Sequence, residues 1–126
     1  MKKIKNLKDG VVVYANHRKE PYFTFVKNGK KTIEGRLKKE NYDLVKAGDQ
    51  IIIWNERETE SLKVRVKRVC AYKSFEQMLE NEELKKVLPE VKTINEGLAV
   101  YRKFYTEEQE RKFGVLAIEV ERCNVW

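Results

Sequence analysis

The stretch Gly29-Lys30-Lys31-Thr32-Ile33-Glu34-Gly35-Arg36 sets lysines, an arginine and a carboxylate within eight residues. It follows a predicted short helix over residues 20–28, and Gly29 suits the left-handed position that ends such a helix. The stretch then continues as a strand, in which side chains two residues apart share a face, so Glu34 and Arg36 lie together. Charges of both signs directly after a tight turn predict a site for a polar ligand.

Strands and helices alternate irregularly on either side of this stretch. Alternating apolar residues and β-branched runs predict further strands over residues 11–15, 50–55, 61–72 and 115–121. Capping-box patterns at Ser74 and Thr93 predict two helices, and residues 38–46 and 106–113 each suit a short helical turn. Hairpin-linked strands with helices inserted at one end favour an α+β fold, with a small mixed or antiparallel β-barrel rather than a doubly wound parallel sheet.

Length and composition indicate one domain over residues 1–126, with residues 1–10 as a flexible lead-in. No apolar run approaches the roughly 20 residues of a membrane helix, and no secretory signal follows the first lysines. One histidine and two scattered cysteines argue against a zinc site. We therefore expect a cytoplasmic protein without a metal or cofactor.

The net charge of +7 is unevenly distributed along the chain. Lysine and arginine outnumber the acidic residues in residues 1–73, whereas acidic residues predominate in residues 74–126. A positive field confined to one part of a chain favours a polyanionic partner such as RNA, or a nucleotide. Lysines that simply coat a surface would give the same total.

The charged residues of the opening stretch each allow two interpretations. Lys31 is either a solvated neighbour of Lys30, or a cleft lysine that binds a phosphate or polarises a carbonyl oxygen. Glu34 and Arg36 are either a surface ion pair worth about 0–1 kcal/mol, or a positioned pair in which Glu34 acts as a general base or accepts a hydrogen bond from a base edge.

A second group of cations lies on the strand predicted over residues 61–72. Lys63, Arg65 and Lys67 share one face of that strand, with Arg68 alongside, and like charges at this spacing repel unless an anion lies near them. Either a polyanionic ligand supplies that anion, or the glutamates of the hairpin over residues 56–60 do. The acidic helices offer a third function, protein interaction, although alternating charge usually marks only a solvated face.

Aromatic residues could stack on bases near the predicted site. Tyr22 and Tyr101 combine a ring with a polar tip and are the better ligand candidates. Phe23, Phe25 and Phe104 are predicted as core residues, and His17 is assigned no role.

The pattern G-x-K-x-x-E-x-R, after a short helix that begins with proline and an aromatic residue, resembles the ASCH (activating signal cointegrator homology) domain. Further features of the resemblance extend from about Val12 to Glu121. They are Gly48-Asp49 before an apolar strand, the Lys/Arg-Val strand, Phe75 and Leu79 on a helix, the Leu88-Pro89 stop, and the tail from Tyr101 to Val120.

This resemblance implies a PUA-like fold with a charged cleft beside the first helix, and it implies RNA binding. It favours Lys30, Lys31, Glu34, Arg36, Tyr22 and Tyr101 as ligand-binding residues. Some relatives are small metal-independent hydrolases that act on acetylated cytidine or on RNA. An alternative function is therefore hydrolysis in the same cleft, with Lys31 and Glu34 as the catalytic residues.

The chain departs from the acetylcytidine amidohydrolases at one position. They carry a threonine, proposed as nucleophile, where this chain has Glu34. A threonine mechanism therefore does not transfer directly to this chain. A water activated by Glu34, with Lys31 stabilising the oxyanion, is the hydrolytic mechanism that these residues allow, and Thr32 is the weaker candidate nucleophile.

Overall fold

A computed structural model describes residues 1–123, so the last three residues of the predicted domain lie outside the described part. Its strands are β1 (Lys2–Asn6), β2 (Val12–Arg18), β3 (Ile33–Leu37), β4 (Gln50–Asn55), β5 (Ser61–Tyr72) and β6 (Val115–Arg122). Its α-helices are α1 (Tyr22–Lys27), α2 (Phe75–Asn81), α3 (Leu84–Val87), α4 (Ile94–Arg102) and α5 (Glu107–Phe113). Short 3-10 turns span Lys8–Gly10 and Tyr42–Leu44. This is an α+β fold, as the sequence predicts.

The strands form one mixed sheet in the order β1-β2-β4-β5-β6-β3. Strands β2 and β4 run parallel, and the other neighbouring strands are antiparallel. The predicted β-barrel is wrong: in the described residues the edge strands of the sheet are β1 and β3, and they do not pair with each other, so the sheet is not closed. An opening remains where the end of β2 faces β3. The outer side of β3 adjoins α3 instead of a strand: the Thr32 amide just before β3 donates to the carbonyl oxygen of Lys86 at 3.0 Å. Side chains of β2 approach β3 across this opening.

Residues 1–10 differ from the predicted flexible lead-in. Lys2–Asn6 forms an edge strand that pairs antiparallel with β2, although all five of its residues are exposed. Such an edge strand is held by backbone hydrogen bonds. Its sequence therefore shows no alternation of apolar and polar residues from which it could be predicted. Exposed lysines on an edge also discourage pairing with other chains.

Two apolar cores lie on opposite faces of the sheet. One lies inside the curled sheet and includes Tyr14, Phe23 and Ile53. The other lies between the sheet and helices α2–α4 and includes Phe75, Met78 and Tyr101. The strand β3 separates these environments, since Ile33 and Leu37 pack against the helices while Glu34 and Arg36 face the opening.

The helix boundaries follow the signals in the sequence. The side chains of Ser74, Thr93 and Thr106 each accept a hydrogen bond from a backbone amide in the first turn of the helix that follows. Gly29 has a φ of 80°, as predicted for the residue that ends α1. These local signals position α1 and α4 on either side of the opening next to β3.

Candidate functional site: a charged cleft beside β3

A cleft of about 200 Å³ opens between the carboxyl end of β2, strand β3 and helix α4. Four charged side chains form its floor: Arg18, Lys31, Glu34 and Arg36. Aromatic and aliphatic side chains form its walls: Tyr22, Leu88, Val100, Tyr101, Phe104 and Tyr105. Apolar walls around a few converging polar groups are typical of a small-molecule or nucleobase site.

Glu34 is the centre of the floor. One carboxylate oxygen, Oε2, forms an ion pair with Nη1 of Arg18, and the other, Oε1, lies 3.2 Å from Nε of Arg36. The side chain of Glu34 is 15% exposed, that of Arg18 8% and that of Arg36 23%. A carboxylate between two largely buried guanidinium groups is thus held from both sides.

Several polar atoms of this group are left without a hydrogen bond. Nε of Arg18 is buried and has no hydrogen-bond partner among the described protein atoms, whereas Oε2 of Glu34 and Nε of Arg36 have only their ion-pair contacts within the floor. Buried polar groups in native proteins are nearly always hydrogen-bonded, so an unpartnered one requires an explanation. All three residues line the cleft.

The charged groups of the floor shift one another's pKa values. Burial alone would raise the pKa of Glu34, but attraction from Arg18, Lys31 and Arg36 outweighs it and lowers the pKa to about 2. Burial lowers the pKa of the Arg18 guanidinium, and the charge of Glu34 opposes that effect. Glu34 is therefore ionised throughout the neutral range.

Lys31 is a buried member of the floor and is not solvated, with 4% of the residue exposed. Its Nζ donates hydrogen bonds to the carbonyl oxygens of Ile33, at 2.9 Å, and of Val87. Burial lowers its pKa to about 8, despite the nearby charge of Glu34. This lysine ties β3 to α3, and its charge adds to the positive potential of the cleft.

Gly35 allows the α4 wall to approach β3 closely. A Cβ atom at this position would lie 2.4 Å from the hydroxyl oxygen of Tyr101 and 2.8 Å from Cε of Met78. The Tyr101 ring stacks on Phe75, with centroids 4.2 Å apart, and the residue is only 5% exposed. Glycine between Glu34 and Arg36 thus brings an aromatic wall directly onto the charged strand.

The family of the chain follows from comparison with known proteins. The ASCH domain model matches residues 17–124, which is most of the chain and includes the whole floor of the cleft. The chain belongs to the ASCH domain family.

Two solved structures are similar to the chain over most of its length. The crystal structure of the hypothetical protein PH0355 is 48% identical, with a TM-score of 0.80 over 88% of this chain and 99% of that one. The solution NMR structure of protein PF0455 from Pyrococcus furiosus is 45% identical, with a TM-score of 0.71 over 90% of this chain and 99% of that one.

A more distant structure shows the same fold. The crystal structure of an ASCH domain from Lactobacillus crispatus is 12% identical, with a TM-score of 0.53 over 87% of this chain and 79% of that one. The comparison with curated proteins finds no match.

The ASCH cleft brings together most of the residues that the sequence singled out. Lys31, Glu34, Arg36, Tyr22 and Tyr101 all line it. Lys30 does not, because it lies on the exposed turn after α1, where its amide donates to Oδ1 of Asn28 at 3.2 Å.

One sequence-based assignment is wrong in this ASCH domain. Phe104, predicted as core, is 49% exposed at the mouth of the cleft, with Nζ of Lys19 6.0 Å from its ring centroid.

For the β5 cations the sequence left a polyanionic ligand and the hairpin glutamates as alternatives. Among the described residues, Arg65 pairs with Glu121, and Arg68 pairs with Glu82 and Glu119, none of which belongs to the hairpin.

Arg18 is the main floor residue that sequence reasoning missed. The predicted first strand ended at residue 15, whereas β2 continues to Arg18. Along β2 the inward side chains are Tyr14, Asn16 and Arg18, so the period of two continues through polar residues. This alternation of inward-facing residues is the signal in the sequence that could have identified Arg18.

The described residues offer neither a metal site nor a membrane-spanning helix. In residues 1–123, no group of three or more His, Cys, Asp and Glu side chains could hold a metal ion. No helix in that range is both long and apolar enough to cross a bilayer.

Proposed function

We propose that this ASCH domain binds RNA, or a nucleotide portion of it, with one base in the cleft. The observation that supports this proposal is the convergence of Arg18, Glu34 and Arg36 in one cleft whose walls are aromatic and aliphatic. The ASCH family is generally linked to RNA binding, which agrees with this proposal.

The shape and charge of the cleft suit a single nucleotide. A planar base fits between apolar walls while its polar edge meets the charged floor, and about 200 Å³ is small for a larger ligand. Lys19 and Phe104 lie together at the mouth, where they provide a cation for a phosphate and a ring for stacking. Single-stranded RNA with unstacked bases is the form of RNA that such sites bind.

The alternative function, hydrolysis of an acylated nucleoside, receives less support from the geometry. A general base works best with a pKa near the operating pH, whereas that of Glu34 is lowered to about 2. Two of the three Nζ hydrogens of Lys31 are engaged by the backbone carbonyl oxygens of Ile33 and Val87. Incubation with acetylated cytidine, followed by chromatography, tests this alternative, and we expect no release of cytidine.

Fluorescence anisotropy with a labelled single-stranded RNA of mixed sequence tests RNA binding. We expect binding that weakens steeply as salt concentration rises, because phosphate contacts release counterions. Lys19→Glu should weaken binding several-fold. Lys67→Glu makes the same change of charge at an exposed position on the outer face of β5 and should have a smaller effect.

Two results would contradict the proposal. One is an absence of binding at low salt. The other is an equal loss of affinity in both variants, which would indicate that net charge alone, and not the cleft, determines the interaction.

A further inference from the structure

The order of hydrogen-bonding groups across the floor carries information about the base. Glu34 lies between Arg18 and Arg36, with Oε2 directed to the first and Oε1 to the second. Arginine can only donate hydrogen bonds, and an ionised carboxylate can only accept them. The floor therefore presents a donor, an acceptor and a donor in sequence.

These groups retain capacity for a ligand after they have paired with one another. A guanidinium has five N–H donors and a carboxylate has about four lone-pair sites, far more than the two ion pairs use. Among them, Nε of Arg18 has no hydrogen-bond partner in the described part of the chain, and Oε2 of Glu34 and Nε of Arg36 have only their ion-pair contacts. The Arg36 guanidinium also lies over the ring of Tyr42, 4.9 Å from its centroid, which restrains its orientation.

We propose that the cleft selects a ring edge on which acceptor, donor and acceptor alternate, as on the imide edge of uracil. This inference rests on the proposed function and specifies the base for the same cleft. In uracil the N3–H group lies between two carbonyl oxygens. The N–H would donate to Glu34, while each oxygen would accept from one arginine.

The other bases fit this order less well. Cytosine and adenine present an unprotonated ring nitrogen at the centre of their pairing edge, and that lone pair would face the Glu34 carboxylate. Guanine has a central N–H group and one carbonyl oxygen, but its amino group would face an arginine donor. The expected order of affinity is uracil first, guanine second, and cytosine and adenine last.

The floor keeps the same hydrogen-bonding order across the neutral range. Three nearby cations keep Glu34 ionised, so it remains an acceptor. A protonated carboxyl group could donate to cytosine or adenine, and the preference would then be lost.

Fluorescence anisotropy with labelled hexaribonucleotides of uridine, cytidine and adenosine tests the inference on the unaltered protein. One good bidentate contact discriminates between bases by about 1–3 kcal/mol, so we expect the uridine oligomer to bind roughly tenfold more tightly than the other two. A uridine oligomer methylated at N3 should lose this advantage, because it lacks the central donor and carries a methyl group in its place.

The outcomes separate this inference from the proposed function. Equal affinity for the three oligomers, or an undiminished affinity for N3-methyluridine, would overturn the uracil preference while leaving RNA binding intact. A lack of binding by every oligomer would overturn both. A folded Glu34→Gln variant should bind the uridine oligomer more weakly and discriminate less between the bases, and the N3-methyl comparison decides the question without any variant.

Discussion

The cleft floor and the outer face of β5 are both rich in arginine, yet they differ in burial and pairing. On the outer face, Arg65 and Arg68 are about half exposed, and each pairs with glutamates of neighbouring elements. In the floor, Arg18 and Arg36 are largely buried around one carboxylate, and polar atoms are left over. Similar numbers of cations in the sequence therefore give two different environments, one exposed and paired, the other buried around a single carboxylate.

The largest expected effect is the loss of stability when an ion pair of the cleft floor is broken, compared with an ion pair on the outer face of β5. Glu34→Gln leaves Arg18 and Arg36 without their counter-charge in a buried setting, and should lower the free energy of unfolding by about 3 kcal/mol. Glu121→Gln breaks the exposed pair with Arg65 and should leave stability close to that of the unaltered protein. Urea denaturation measures both, and equal losses would remove the distinction between the two regions.

The next prediction concerns the contact that brings α4 onto the floor. Gly35→Ala forces its new methyl group against Tyr101 and Met78, and should cost about 1–3 kcal/mol of stability. Adding Tyr101→Phe removes the nearest atom and should restore part of the loss. If the double variant is no more stable than Gly35→Ala alone, the Tyr101 hydroxyl is not the source of the strain.

A pH titration distinguishes buried from exposed lysines. Because folding lowers the pKa of Lys31 from 10.5 to about 8, the unfolded chain binds more protons than the folded chain between these values. The contribution of Lys31 to stability therefore rises with pH across this window, on the order of 1 kcal/mol from pH 8 to 9.5.

Urea denaturation of Lys31→Met over the same pH range measures this slope. The variant should lack the rise, while Lys67→Met, which alters an exposed lysine of β5, should retain it. A rise of equal size in Lys31→Met would show that other groups cause it.

The smallest effect is expected at the mouth of the cleft and concerns affinity alone. Phe104→Ala should weaken RNA binding several-fold through loss of stacking, with little change in stability because the ring is half exposed. Leu44→Ala removes an exposed apolar side chain that is not among the cleft residues, and should change neither property. RNA affinity that is insensitive to Phe104→Ala would exclude this ring from the binding surface.

Much of the fold could be predicted from local patterns, and the exceptions have physical causes. Capping residues predicted α2 and α4, and the alternation of apolar and polar residues predicted β5. Each of these signals involves residues that are close together in the sequence. Strand β1 was missed because its residues bury nothing, and it is held by backbone pairing alone. The closure of the sheet depends on how far it curls, which no local pattern encodes.

The candidate site was likewise predicted where its residues are close in sequence and missed where they are distant. Glu34 and Arg36 were recognised from their spacing on one strand, but Arg18 comes from β2 and meets them only in the folded chain. Phe104 was misassigned because an aromatic residue near the end of a helix usually packs inward. Its exposure depends on where α4 ends, at Arg102, which leaves Phe104 in the segment that follows the helix.

The parallel pairing of β2 and β4 places the carboxyl ends of both strands at one edge of the sheet. As a result the hairpin between β4 and β5 reaches His17 at the rim of the cleft, where Oε1 of Glu58 lies 2.7 Å from Nε2 of His17. The partner of this rim residue and the floor thus come from separate segments of chain. Surface hairpins tolerate insertions and deletions well, so lengthening or shortening residues 56–60 would change the surroundings of His17 without altering Arg18, Glu34 or Arg36.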